Sequence, residues 1–151
     1  MGKAPKPNMN RAGNMDIDAW RERQISKRLK MLLEQRERDF AAAHAGDTDA
    51  ELREYVRMQA AALGRMPHPL ELAGAGYLRA RLGDWISLAM ELGFRSASAV
   101  HGRRAYLRLR AQAEELFVSE RRAHKKAKKQ QWRQRSEHAA ACSANRKNKH
   151  I

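Results

Sequence analysis

The chain has 151 residues, 31 Lys and Arg against 17 Asp and Glu, a formal charge of +14 and a pI near 10.7, which describes one small, strongly basic domain with room for a single hydrophobic core. Leu, Ile, Val and Phe together number 24, few enough at this charge to predict that part of the chain stays unpacked. The single Cys142 excludes an internal disulfide and a Cys-based zinc site. The longest apolar run, about Trp85 to Met90, is short of a signal h-region or a membrane span, so the chain reads as soluble and cytoplasmic, with no membrane partner.

Only 8 residues are β-branched, against 26 Ala, and that balance leaves no material for a sheet. The predicted fold is all-α. Residues 1–15 combine Gly, Pro, Asn and Lys/Arg without periodicity, the composition of a disordered basic arm. An amphipathic helix is predicted over 16–46: Asp16 and Asp18 suit its start, Ile25, Leu29, Leu32, Leu33 and Phe40 share one face, and Gly46 suits its end. A helical module is predicted over 47–95. Thr48 and Glu51 have the spacing of a capping box, followed by a face of Leu52, Tyr55, Val56, Ala60 and Leu63 and a stop at Gly64. Pro67 and Pro69 start a short helix, Gly74 and Gly76 break it, and Tyr77 to Leu82 add a turn or two. Asp84 then caps a helix in which Trp85, Leu88, Ala89 and Leu92 recur on one face, and Gly93-Phe94 closes it. After a small-residue hinge at 96–102, residues 103–141 form a long helix whose apolar stripe of Tyr106, Leu109, Ala113, Leu116 and Phe117 ends near Phe117. A disordered basic tail is predicted over 142–151.

The stretch Leu63-Gly64-Arg65-Met66-Pro67 with Glu71, Leu78, Leu82-Gly83-Asp84-Trp85, Leu88-Ala89 and Leu92-Gly93-Phe94 resembles the homing endonuclease-associated repeat, in a single copy around residues 52–94. Leu82 and Asp84 stand where that family usually has Phe and Ser. The resemblance implies a small helical module that contacts DNA, of the kind found beside homing-type nucleases and in short proteins of mobile elements. It makes Gly64, Pro67, Gly83, Trp85 and Gly93 scaffold positions. With one copy only, the helices at 16–44 and 103–117 have to serve as its packing neighbours.

Charge is concentrated towards the C-terminus: residues 101–151 carry 15 basic and 4 acidic side chains. On a helical wheel Arg103, Arg104, Arg108, Arg110, Arg121, Arg122, Lys125, Lys126, Lys128, Lys129, Arg133 and Arg135 fall within about 180°, a face roughly 45–50 Å long. Such a face binds a polyanion by phosphate neutralisation and counterion release, or is simply a solvated helix surface; the sparse intrahelical pairing favours the polyanion. Trp132 lies within this arc, either stacking on an unpaired base or folded back over its own Lys neighbours. Trp85 belongs to the core. Arg79, Arg81 and Arg95 bracket the two short helices, either meeting phosphates as in a helix-turn-helix or solvated, and His68 is a turn residue.

Signals for catalysis are weak. The six His at 44, 68, 101, 124, 138 and 150 show no metal-ligand spacing, and there is neither a nucleophile elbow nor a phosphate-binding glycine loop. Cys142-Ser-Ala-Asn145-Arg-Lys147 echoes the end of an HNH nuclease motif, but without its second Cys or its upstream Asp-His pair. The expectation is therefore a non-enzymatic nucleic-acid-binding protein without cofactor or metal, with DNA preferred through the resemblance and RNA possible. The alternatives are an RNA- or ribosome-associated factor, or an adaptor for an acidic protein partner.

Overall fold

The computed structural model describes the backbone of residues 9–149 and the side chains of 16–149. Among these residues the fold is all-α, with no strand: α1 (Met9–Ala43), α2 (Asp49–Leu63), a 3₁₀ turn (Pro69–Glu71), α3 (Ala75–Leu82), α4 (Trp85–Leu92) and α5 (Ala99–Asn148). The chain divides into two units, residues 1–114 and 115–151.

The punctuation of the first unit follows the chemistry of its caps. Thr48 Oγ1 accepts from the Glu51 amide at 3.2 Å and the Glu51 carboxylate accepts from the Thr48 amide at 3.3 Å, the reciprocal capping box that opens α2. Asp84 accepts from the Ser87 amide at 3.1 Å and opens α4; that bond, before all others, holds its carboxyl below the usual range. Gly64 and Gly93 close α2 and α4 at φ of 72° and 76°, the left-handed region that glycine enters without strain. Pro69 starts the 3₁₀ turn behind His68, whose Nδ1 accepts from the Leu70 amide at 3.1 Å.

The core gathers Leu52, Val56 and Ala60 of α2, Met66 and Leu72 of the linker, Ala75 and Leu78 of α3, Leu88 and Ala89 of α4, and Phe40 from α1. Phe40 enters through a slot. A Cβ at Gly74 would lie 1.9 Å from the Phe40 ring, so this glycine is demanded by packing as much as by helix breaking. Glu37, one turn earlier on α1, accepts from the amides of Gly76 and Tyr77 at 2.9 and 3.2 Å, capping α3 from a neighbouring helix. The linker after α2 is tied to the end of the module by the Met66 amide donating to the Arg95 carbonyl at 2.6 Å. Trp85 packs on the rim of the core instead of inside it: it is half-buried, and its indole N–H donates to the Pro67 carbonyl at 3.0 Å, a partner a wholly apolar pocket would deny it.

A smaller buried set lies outside this cluster: Ile25 and Leu29 on α1, and Ala105, Leu109 and Ala113 on α5. Ion pairs from Arg21 to Glu114, at 2.7 Å, and from Arg110 to Glu22 join the same two helices. The buried positions of α5 run Gly102, Ala105, Leu109, Ala113, Phe117. That row corrects the expected stripe, for Tyr106 is 44% and Leu116 37% exposed. The reason is geometric: steps of four residues advance a helix by about 40°, so the row drifts across the surface and leaves those two on its flanks. Leu63, expected on the α2 core face, is likewise exposed.

Element boundaries differ from expectation at four places. The backbone of α1 already includes 9–15, because a single Gly13 costs a helix about 1 kcal/mol and does not stop it. Residues 1–8, expected to be part of the arm, lie outside the described residues, as do 150–151 at the end of the expected tail. Gly76 falls within the first turn of α3, where Glu37 caps it. The hinge at 96–102 shortens because α5 starts at Ala99; Gly102 lies within it, and a Cβ there would meet His68 Nε2 at 2.5 Å. Residues 142–148 continue α5 instead of leaving it at 141, since no Gly or Pro follows Gly102 and Ala139 to Ala141 with Ala144 favour helix.

Candidate nucleic-acid interface

The cationic residues singled out in the sequence have separate environments. In the first unit Arg110 is taken up by carboxylates: it pairs with Glu22 and, at 3.7 Å, with Glu114, and hydrogen bonding to Glu22 raises its pKa. Arg81 is also spent internally. Its Nε donates to Asp49 Oδ1 at 3.0 Å, one terminal nitrogen to the Asp47 carbonyl at 3.0 Å and the other to the Tyr77 hydroxyl at 2.8 Å. The expectation for Arg81 was a phosphate contact or a solvated surface. The structure makes it a strut between α3 and the start of α2, because Tyr77 stands one turn below it and Asp47 and Asp49 open the next helix. Arg79 is exposed beside Asp84, Trp85 and Ile86 in a shallow groove. Arg95 is exposed and lends its carbonyl to Met66.

Arg103, Arg104 and Arg108 are exposed on the part of α5 that belongs to the first unit. Arg108 lines a cleft of about 410 Å³ with Arg36 of α1. Sequence reading did not single out Arg36, which lies far from Arg108 in the chain, and only the fold brings the two together.

The second unit is the remainder of α5. Its residues 115–151 contain eleven Lys and Arg against three Asp and Glu. Between Glu120 and Glu137 there is no acidic residue, while Arg121, Arg122, Lys125, Lys126, Lys128, Lys129, Arg133 and Arg135 occur in about 21 Å of helix axis. Every residue from 119 to 149 is exposed. Four pairs of cations stand at i,i+4, namely 121/125, 122/126, 125/129 and 129/133, each a repulsion of about 0.2–0.5 kcal/mol. Phe117 is buried, with the Arg121 guanidinium 5.7 Å from its ring centroid. Trp132 is 69% exposed and shares a shallow depression with Lys128, Lys129, Gln131 and Arg135. That exposure argues against an indole folded back over its neighbours.

The Cys142–Lys147 fragment lies on helix, not on a hairpin, with Cys142 Sγ 3.6 Å from His138 Nε2. Among the described residues no three His, Cys, Asp or Glu side chains are grouped to hold a metal ion, and no helix is long and apolar enough to cross a membrane. No protein-family model matches the chain, and comparison with curated proteins and with solved structures gave no match.

Proposed function

We propose that the chain is a non-enzymatic nucleic-acid-binding protein that holds a phosphate backbone along residues 121–135 of α5. The observation that carries this reading is the run of eight exposed cations with no acidic residue among them. An isolated helix pays for that pattern in like-charge repulsion, and a polyanion relieves it while its condensed counterions are released. The resemblance of residues 52–94 to the homing endonuclease-associated repeat favours DNA. The exposure of Trp132 between Lys128 and Arg133 favours unpaired bases, since an indole stacks on the face of any base without regard to sequence. Single-stranded nucleic acid satisfies both features of the helix, and duplex binding uses the cations alone.

The test is a fluorescence anisotropy titration of duplex DNA, single-stranded DNA and single-stranded RNA over a salt series. With about five phosphates neutralised at once, log affinity on duplex falls with log salt at a slope of about −4 to −5. Lys125, Lys126, Lys128 and Lys129 changed together to Gln weaken all sequences alike and flatten the slope, because backbone contacts position without reading bases. A quadruple variant with wild-type affinity and slope takes nucleic acid off this helix and points to an acidic protein partner instead.

A further inference from the structure

The cleft of about 410 Å³ in the first unit is built by four elements. α1 contributes Arg36, α2 contributes Gln59 and Leu63, the 3₁₀ turn contributes Leu70 and Glu71, and α5 contributes Arg108 and Gln112. Its volume falls in the range of small-molecule sites, and its wall is shared about evenly between polar and apolar groups.

The polar groups here are unspent. Among the described residues neither Arg36 nor Arg108 has an ion-pair or hydrogen-bond partner, and the same holds for the amides of Gln59 and Gln112. That contrasts with Arg65, Arg81 and Arg110 in the same unit, all of which are committed to carboxylates. The single carboxylate lining the cleft, Glu71, is itself neutralised: Arg65 donates to both its oxygens at 2.8 and 3.0 Å, and the His68 amide donates to it at 2.8 Å. The cleft therefore presents two net positive charges, two amides able to donate and accept, and leucine walls.

We infer that this cleft binds a nucleoside monophosphate, either free or as the 5′-phosphorylated end of a strand. Two guanidinium groups on different helices match the charge of a phosphomonoester, about −1.5 to −2 near neutral pH, whereas an internal phosphodiester carries a single charge. The two glutamine amides offer the donor and acceptor combination that a base edge requires. Leu63, exposed although apolar, and Leu70 give the base plane a surface to cover. The choice of a nucleotide among phosphomonoesters rests on the nucleic-acid reading above. The cleft itself shares no residue with 121–135.

The experiment uses the full chain and isothermal titration calorimetry with 5′-mononucleotides, the corresponding nucleosides and inorganic phosphate. Wild-type protein binds the mononucleotide at least tenfold more tightly than either fragment. Arg36→Gln with Arg108→Gln loses at least tenfold while keeping the wild-type melting temperature without ligand, and Arg108→Gln alone gives an intermediate loss if the pair is unstable. Gln59→Ala with Gln112→Ala loses the preference for mononucleotide over inorganic phosphate. Competition with 5′-phosphorylated and 5′-hydroxyl oligonucleotides separates the two sources. A competitive advantage confined to the 5′-phosphate assigns a strand end, and its absence assigns the free nucleotide. The inference is overturned if the mononucleotide fails to bind at millimolar concentration, or if its binding survives both arginine changes and is lost in the Lys125/126/128/129 quadruple variant. That quadruple variant also keeps the two readings apart, since an arm that does not bind nucleic acid leaves the calorimetry of the cleft unchanged.

Discussion

Arg81 and Lys125 carry the same formal charge, and each sits on a helix, yet their surroundings have little in common. Arg81 donates to Asp49, to the Asp47 carbonyl and to Tyr77 and lies 5.7 Å from the Tyr77 ring centroid. Lys125 is exposed, and residues 121, 122, 126, 128 and 129 around it in sequence are Lys or Arg. Within residues 47–95 the starts of α2 and α4 are capped, Arg65 holds Glu71 through both oxygens, and no buried side-chain nitrogen or oxygen lacks a partner among the described residues. Residues 121–149 bury nothing. A module that satisfies its own charges is built to be stable. The helix over 121–135 leaves eight cations exposed with no acid among them, and the two regions should respond to substitution in opposite ways.

The largest expected effect is in the core. Leu78 is fully buried at the centre of the cluster that joins α2, α3, α4 and Phe40, and Leu78→Ala should destabilise by about 2–5 kcal/mol through lost burial and the cavity left behind. Urea unfolding followed by circular dichroism at 222 nm measures it. A loss below about 1 kcal/mol would mean that the module is loosely packed and would remove the contrast with α5. Gly74→Ala should follow at about 1–3 kcal/mol, since its Cβ falls 1.9 Å from the Phe40 ring and the ring must move. Combining it with Phe40→Leu should recover part of that loss if the slot is the cause.

These residues also separate what the sequence declares from what only the fold reveals. Caps are local chemistry, so Thr48 with Glu51, Asp84, Gly64 and Gly93 were legible from spacing alone. The all-α class followed from the scarcity of β-branched residues, and the unpacked length of α5 from the end of its apolar stripe at Phe117. Packing across elements left no such signal. Gly74 reads as a helix breaker and also makes room for Phe40; Glu37 reads as surface charge and caps α3; Arg81 reads as a free cation and is a strut. In each case the partner lies more than thirty positions away along the chain, beyond the reach of periodicity. The placing of Arg36 beside Arg108 was hidden in the same way, and the drift of the α5 row, which leaves Tyr106 and Leu116 exposed, depends on which neighbours cover the helix.

An intermediate effect is expected at the Arg65–Glu71 pair, whose side chains are each 15% exposed. Hydrogen bonding from Arg65, with a further bond from the His68 amide, holds the Glu71 pKa at about 2 against the opposing effect of burial. An unfolded chain has its Glu near 4.3, so the folded value is depressed and the native state favours the ionised form. The stabilisation is complete above about pH 4.5 and is lost as pH falls towards 2. Glu71→Gln should cost about 2 kcal/mol at pH 7 by weakening a charge-assisted pair and leaving Arg65 without its counter-charge. The gap between variant and wild type should narrow between pH 4.5 and 2. A gap that stays constant across that window would assign the loss to packing and not to charge.

The smallest effect on stability, and the one that bears most on function, is expected at Trp132. It is 69% exposed on a helix where every residue from 119 to 149 is exposed, so Trp132→Ala should change the unfolding free energy of the first unit, read by urea denaturation, by no more than about 0.5 kcal/mol. On single-stranded nucleic acid the same change should weaken binding by about 1–3 kcal/mol, the worth of one base stacked on an aromatic side chain, and leave the salt slope where it was, because no phosphate contact is removed. On duplex DNA its effect should be small. A Trp132→Ala protein that unfolds early would show the indole to be packed and the second region to be less like a bare arm than its exposure implies. One that binds single strands as tightly as wild type would leave the cations of α5 to act alone and favour the duplex.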